Sequence, residues 1–97
     1  MTANEVALAG KVTAIEPLRY SPAGVPLLCF KLLHRSSQVE AWLKRQVECE
    51  MSAMAMADVA RAMSGLKIGD AVTVRGFLSR KNRMSTQLIL HATGTDF

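Results

Sequence analysis

The chain is 97 residues long, and we expect one compact domain over residues 1–97, because two domains need a longer chain. Hydrophobic residues make up 49% and charged residues 21% of it, a balance that indicates a globular fold and excludes intrinsic disorder. The formal net charge is +4, and four basic residues and no acidic residue lie between Arg75 and Arg83. Such a cluster is typical of proteins that bind polyanions, but it also occurs in basic loops that are merely solvated.

The cysteines and the N-terminal segment indicate the cellular compartment in which we expect the protein. Cys29 and Cys49 are the two cysteines, and neither belongs to a CxxC pair. The first ten residues lack the charged and apolar pattern of a signal peptide, and every fully apolar run is too short to span a membrane. We therefore expect a cytoplasmic protein with free thiols and no membrane partner.

The first part of the chain predicts two strands joined by a loop. Alternating apolar residues run through 6–15, with Gly10 where the strand can bend. Residues 16–26 hold three prolines and a glycine, which predicts a loop. Residues 27–35 form the second predicted strand, and the polar residues 36–40 form the turn after it.

The next segment predicts a half-buried strand followed by a helix. In residues 41–51 the odd positions are largely apolar, whereas the even positions, including Trp42 and Lys44, are largely polar. Residues 52–63 are rich in alanine and methionine, which are strong helix formers, and Ser52 is the predicted N-cap.

Two further strands complete the pattern. Alternation predicts a fourth strand within 65–78 and a fifth within 84–92, with the polar residues 79–83 as a hairpin loop. Five strands with a short helix between the third and the fourth match the OB-fold, a mainly β Greek-key barrel. Gly10 and Gly76 fit this fold, because a small barrel must coil its strands sharply.

The OB-fold supplies a candidate binding face on its second and third strands, flanked by the loops after the first and fourth. Trp42 and Lys44 lie on the outward side of the predicted third strand. The flanking loops contribute Arg19, Tyr20, Arg80, Lys81 and Arg83. Aromatic rings stack on the exposed bases of single strands, and cations bind their phosphates. We therefore predict a protein that binds single-stranded DNA with modest affinity, because the chain has few aromatic residues.

Several segments resemble the primosomal replication protein N (PriB) family, within the superfamily of bacterial single-stranded DNA-binding proteins. The matching segments are PLRYSPAGVP (17–26), FKLLHRSSQ (30–38), RQVECEM (45–51), VTVRGFL (72–78) and LILHA (88–92). The resemblance implies a homodimeric protein of the replication-restart primosome that binds single-stranded DNA without sequence specificity and stimulates the primosomal helicase, alongside other primosome proteins. By position, it implies DNA contacts at Arg19, Arg35, Arg80, Lys81 and Arg83.

The chain departs from that family on the face expected to bind DNA. The family members best known for tight DNA binding carry a tryptophan at the position of Glu48, a phenylalanine at that of Leu43 and a lysine at that of Gln87. Glu48 and Glu50 repel phosphate, which predicts weaker DNA binding. Two hypotheses stand for Trp42: it stacks on a base in place of the missing ring, or it packs at a hairpin end or dimer contact.

Other functions compete with DNA binding. The sequence contains no Gly-rich phosphate loop, HExxH or GxSxG motif, so we expect neither an enzyme nor a cofactor. A zinc site of Cys29, His34, Cys49 and His91 is disfavoured, because their spacing matches no usual metal motif. The main alternative is a protein-binding adaptor with weak or no nucleic-acid binding, since fold does not fix function. RNA is a further alternative ligand, which the sequence does not distinguish from DNA.

Overall fold

The computed structural model describes residues 2–96 as a closed β-barrel with one short helix. The strands and the helix are β1 (Val6–Ile15), β2 (Arg19–Tyr20), β3 (Pro26–Glu40), β4 (Leu43–Met56), α1 (Ala57–Ala62), β5 (Ala71–Arg80) and β6 (Leu88–Asp96). The two-residue β2 pairs with the start of β3 inside the first loop, so five long strands build the barrel. This architecture agrees with the predicted fold class.

The barrel closes because β1 pairs with two different strands. Residues 6–11 of β1 pair antiparallel with β5. Residues 11–15 pair with β3, and a register shift between Val12 and Ala14 turns the strand from one partner to the other. On the opposite side, residues 53–55 of β4 pair in parallel with β6. The order β1-β5-β6-β4-β3 therefore returns to β1.

Apolar residues at alternate strand positions fill the barrel interior. The side chains of Leu32, Val74 and Leu90 are completely buried there. α1 packs against β3, β4 and β6. Ala60 within α1 and Met63 directly after it are completely buried. Within residues 2–96, no helix has the length and hydropathy needed to cross a membrane, and α1 has only six residues.

Two glycines stand where strand backbones approach each other closely. A Cβ atom at Gly76 would overlap the carbonyl oxygen of His91, next to a register shift between β5 and β6. A Cβ atom at Gly10 would lie 2.7 Å from the carbonyl oxygen of Leu33. Both positions therefore require glycine, as the predicted coiling of the strands suggested.

The predicted turn and helix boundaries are wrong on either side of β4. Residues 36–40 are strand rather than turn, because β3 and β4 keep their cross-strand pairing as far as Glu40 opposite Leu43. The predicted helix 52–63 begins only at Ala57, because the residues before it pair with β3. Strand pairing overrides the helix propensity of alanine and methionine in that segment.

Two more boundaries differ around the last hairpin. β5 continues to Arg80, so the loop is 81–87 rather than the predicted 79–83. The last strand begins at Leu88 instead of residue 84 and continues to Asp96.

The β3–β4 hairpin continues beyond the strands that it contacts in the barrel. Residues 36–47, which we name the hairpin arm, pair only with each other. The Cα atoms extend over 50 × 32 × 24 Å, and their radius of gyration is 14.4 Å. A compact domain of this length has a radius of about 13 Å, so the arm makes the molecule elongated.

Gly76→Ala is expected to lower the free energy of unfolding by about 3 kcal/mol, because the added methyl group collides with the backbone of β6. Urea unfolding followed by circular dichroism measures the change. Gly94→Ala is the matched control, since a Cβ there meets open space, and its effect should stay below about 0.5 kcal/mol. Equal stability of the two variants would contradict the close approach at Gly76.

Candidate nucleic-acid interface

A cleft of about 400 Å³ lies where the loop after β1, the β3–β4 pair and the start of β6 meet. Its wall carries the end of β1 at Ile15, the cross-strand pair Lys31 and Ser52, and the start of β6 at Leu88. The position agrees with the binding face expected of the fold, on the two strands of the central hairpin and between the two flanking loops.

Three cations from three different elements line this cleft. Arg19 comes from β2, Lys31 from the outward side of β3 and Lys81 from the start of the β5–β6 loop. Among the described residues, none of the three forms a salt bridge. Glu16 is the one carboxylate among the described lining residues, so the cleft has a net positive charge.

The β5–β6 loop continues this positive surface. The backbone N–H of Lys81 donates to the carbonyl oxygen of Gln87 over 2.9 Å, which ties the two ends of the loop together beside the cleft. The guanidinium of Arg80 donates to the carbonyl oxygen of Arg83 over 3.2 Å. Arg80 and Arg83 therefore belong to the same loop region as Lys81, and both are exposed.

Four other arginines are paired with carboxylates. The pairs are Arg35–Glu48 at 2.8 Å, Arg45–Glu40 at 2.9 Å, Arg61–Asp58 at 3.1 Å and Arg75–Asp96. Exposed pairs such as these contribute little to stability, but they cancel positive charge locally. Among the described residues, most of the cations that form no salt bridge therefore lie in the cleft or in the loop beside it, namely Arg19, Lys31, Arg80, Lys81 and Arg83.

The sequence-predicted site residues separate into two groups. Arg19 and Lys81 line the cleft, Arg80 and Arg83 extend it, and Tyr20 follows Arg19 on β2 with 62% of its surface exposed. The structure does not bring Arg35, Trp42 and Lys44 to the cleft.

Arg35 lies on β3 beside β1 and β5, where it lines a different groove together with Ala9 and Thr73. Lys44 is on the outward side of β4 opposite Val39, about 26 Å along β3 from Lys31.

The predicted position of Trp42 is wrong. Trp42 lies in the turn between β3 and β4 rather than on the outward side of a strand. Its backbone has a φ of 65°, and 96% of its surface is exposed. The hairpin continues five residues beyond the predicted start of the turn, which moves Trp42 from the binding face to the end of the arm.

The carboxylates expected to weaken DNA binding have partners of their own. Glu48 pairs with Arg35, and Glu50 accepts a hydrogen bond from the hydroxyl of Thr13 over 3.2 Å. Neither lines the cleft. Both face the same outward side of β4 as Ser52, and Glu50 is only two residues, about 7 Å, from it, so its repulsion of phosphate reaches the edge of the cleft.

Lys31 is a candidate site residue that the sequence did not single out. It faces outward from β3 among buried neighbours and lies opposite Ser52 on β4. Its position was visible in the alternation of residues 27–35, where Lys31 breaks an apolar run on the outward side.

Cys29 lines the cleft beside Arg19, whose guanidinium lies 3.8 Å from the thiol sulfur. Burial raises the pKa of the Cys29 thiol, and the Glu16 carboxylate raises it further, whereas Arg19 opposes the shift. The thiol is therefore protonated at neutral pH. Cys29 and Cys49 are both free.

The two histidines of the disfavoured zinc set have other partners. Nδ1 of His34 donates to the carbonyl oxygen of Ala9 over 2.6 Å, and the ring of His91 stacks on Phe77 with centroids 5.0 Å apart. Within residues 2–96, no group of three or more His, Cys, Asp or Glu side chains is arranged to hold a metal ion.

Comparison with known proteins assigns the chain to a family. Residues 4–94 match the model of a family described as "another single-strand binding protein family". Replication restart protein PriB of Nitrosomonas europaea is 40% identical over 92 residues, which cover 95% of this chain and 85% of that protein. The chain belongs to the PriB family. This result confirms the resemblance found in the sequence.

Solved structures support the fold of this PriB family member. PriB from Ralstonia solanacearum matches with a TM-score of 0.88 at 29% identity, covering 98% of this chain and 97% of that one. A small single-stranded DNA-binding protein from Streptomyces coelicolor matches with a TM-score of 0.76 at 20% identity, covering 99% and 93%. At 20% identity the second likeness shows the fold alone, which is the predicted OB-fold.

PriB proteins are replication restart proteins rather than enzymes, which confirms the non-enzymatic prediction.

Thiol labelling is expected to distinguish the two cysteines. Because the raised pKa of Cys29 lowers its thiolate fraction at a given pH, maleimide should label it more slowly than the exposed Cys49. The rate at Cys29 should keep rising at pH values above the ordinary thiol range. Single-cysteine variants Cys29→Ser and Cys49→Ser, followed by mass spectrometry, measure the two rates. Faster labelling of Cys29 at neutral pH would contradict its burial in the cleft wall.

Proposed function

We propose that this chain binds single-stranded DNA, without sequence specificity, as an accessory protein of the replication-restart primosome. The observation that carries the proposal is the convergence of Arg19, Lys31 and Lys81 around one cleft, without salt-bridge partners among the described residues. The names of the relatives support it, because they include replication restart proteins and single-stranded DNA-binding proteins.

In this proposal the phosphate backbone supplies most of the affinity. Arg19, Lys31 and Lys81 bind phosphates and release their counterions, which makes binding dependent on salt. Arg80 and Arg83 extend the phosphate-binding surface along the β5–β6 loop, where both side chains are exposed.

Base contacts have a smaller part in the same proposal. Phe30 is the one aromatic residue among the described lining residues, and with 3% of its surface exposed it offers no face for stacking. Tyr20, next to Arg19, offers a ring to a base at the rim. A cleft that contacts mainly phosphates tolerates any base, so binding does not depend on sequence.

Arg35 and Lys44 are secondary candidates for DNA contact. A strand that continues past Lys31 reaches Arg35 about 13 Å farther along β3, where Glu48 already pairs with the guanidinium. Lys44 lies farther along the arm. Their contribution to affinity should therefore be smaller than that of the cleft cations.

The same proposal includes partners and location. We propose a homodimer that acts in the cytoplasm, contacts the primosomal helicase and other primosome proteins, and uses residues 1–97 as one domain. A domain of this size buries a modest fraction of its surface, so association stabilises it. Membership of the PriB family supports a place in the primosome.

The double variant Lys31→Ala/Lys81→Ala tests the cleft. Because the variant removes two cations that bind phosphate, the slope of log K against log salt should fall by about 1.4, and affinity at low salt should fall on the order of tenfold. Fluorescence anisotropy with a labelled thymidine oligonucleotide at several salt concentrations measures both quantities.

Lys11→Ala/Lys67→Ala is the matched control. It also lowers the net charge by two, but neither lysine lines the cleft and neither forms a salt bridge among the described residues. The control should keep nearly the wild-type slope. Equal reductions in the two double variants would mean that overall charge, rather than the cleft, governs binding, and would refute the proposed site.

A further inference from the structure

The turn of the β3–β4 hairpin holds a large aromatic residue in a strained backbone. Ala41 and Trp42 are the two residues between the paired Glu40 and Leu43, and their φ angles are 50° and 65°. Two-residue turns with positive φ at both positions favour Asn-Gly, because larger side chains crowd the backbone there. Residues in such strained backbone conformations are found preferentially at functional sites. The strained turn therefore indicates a functional role for the side chain of Trp42.

Trp42 belongs to an apolar tip, which we define as Val39, Trp42 and Leu43. The exposed fractions of these residues are 74%, 96% and 65%. Val39 lies on the outward side of the hairpin and Leu43 on the opposite side, with Trp42 at the end between them. Apolar side chains on both faces of a protruding arm are suited to a pocket that encloses the arm, rather than to a flat surface.

The charges near the apolar tip do not favour a polyanion. Arg45 is paired with Glu40, which leaves Lys44 as the one cation of the described hairpin arm without a salt bridge. At the base of the arm, Glu48 neutralises Arg35. A DNA strand from the cleft would have to cross this nearly neutral region to reach Trp42, which is about 30 Å from Lys31 along β3.

We propose that the apolar tip docks into a protein partner, which receives Trp42 in an apolar pocket and places a carboxylate against Lys44. Tryptophan is among the residues that contribute most energy at protein interfaces. Because charges across an interface are complementary, a lysine without a salt bridge at the rim favours a negatively charged group on the partner. The inference rests on the proposed function in one respect, because the primosomal helicase serves as the partner in its test. Binding of DNA in the cleft is independent of it.

Trp42→Gly is the decisive variant. It removes the ring and introduces the residue that the turn geometry favours, so the variant should be at least as thermally stable as the wild type. Calorimetric titration against the purified primosomal helicase of the same organism should show at least a tenfold loss of affinity. Affinity for single-stranded DNA should stay within about twofold of the wild type.

Met84→Gly is the matched control, because Met84 is also 96% exposed and apolar but lies in the β5–β6 loop. This control should bind the helicase as the wild type does. Trp42 is the single tryptophan of the chain, so its emission should shift to the blue when the helicase binds. Its emission should not change when a thymidine oligonucleotide saturates the protein.

Three results would overturn the inference. Quenching of Trp42 emission by the oligonucleotide would mean that the ring stacks on a base. Equal helicase affinity for the wild type and Trp42→Gly would mean that the apolar tip is not the docking element. If the wild type bound DNA but not the helicase, the inference and the helicase part of the proposed function would both fail, and the cleft would stand.

Discussion

The pairing of β1 with both β5 and β3 is the constraint on which the rest of the molecule depends. It closes the barrel and brings the loop after β1 against the outward side of β3. The parallel contact between β4 and β6 brings the β5–β6 loop to the same place. Arg19 reaches the cleft through the local pairing of β2 with β3, the strand that carries Lys31. Lys81 is far from both in the sequence, and it reaches the cleft because β4 and β6 pair. Gly10 allows the first closure, since a side chain there would collide with β3.

Charge pairing divides the surface into two regions with different chemistry. Around the cleft, the cations have no salt-bridge partners among the described residues and are available to phosphates. Along the hairpin, Arg35 and Arg45 are neutralised by glutamates, and the apolar tip dominates. The two proposed sites, for a polyanion at the cleft and for a protein at the apolar tip, therefore lie about 30 Å apart on one small fold.

The sequence predicted the barrel well because alternation of apolar residues is a local property, and each strand shows it. It did not predict the helix start, because the pairing of residues 52–56 with β3 is a tertiary effect that overrides local propensity. Trp42 was misplaced for a related reason, since Ala-Trp is not a recognisable turn sequence and the hairpin extends past its polar residues. Arg19 and Lys81 could be predicted from the loops that carry them. The alternation places Lys31 on the outward side of its strand, but only the strand pairing and the barrel closure show that it faces the cleft.

Titration of ¹⁵N-labelled protein with a short thymidine oligonucleotide at low salt tests the central claim most directly. We expect the largest amide shift changes to cluster at Arg19, Lys31, Ser52 and Lys81, and to diminish as salt is added. Changes concentrated on the hairpin arm or on α1, with the cleft amides unmoved, would contradict a DNA site in the cleft.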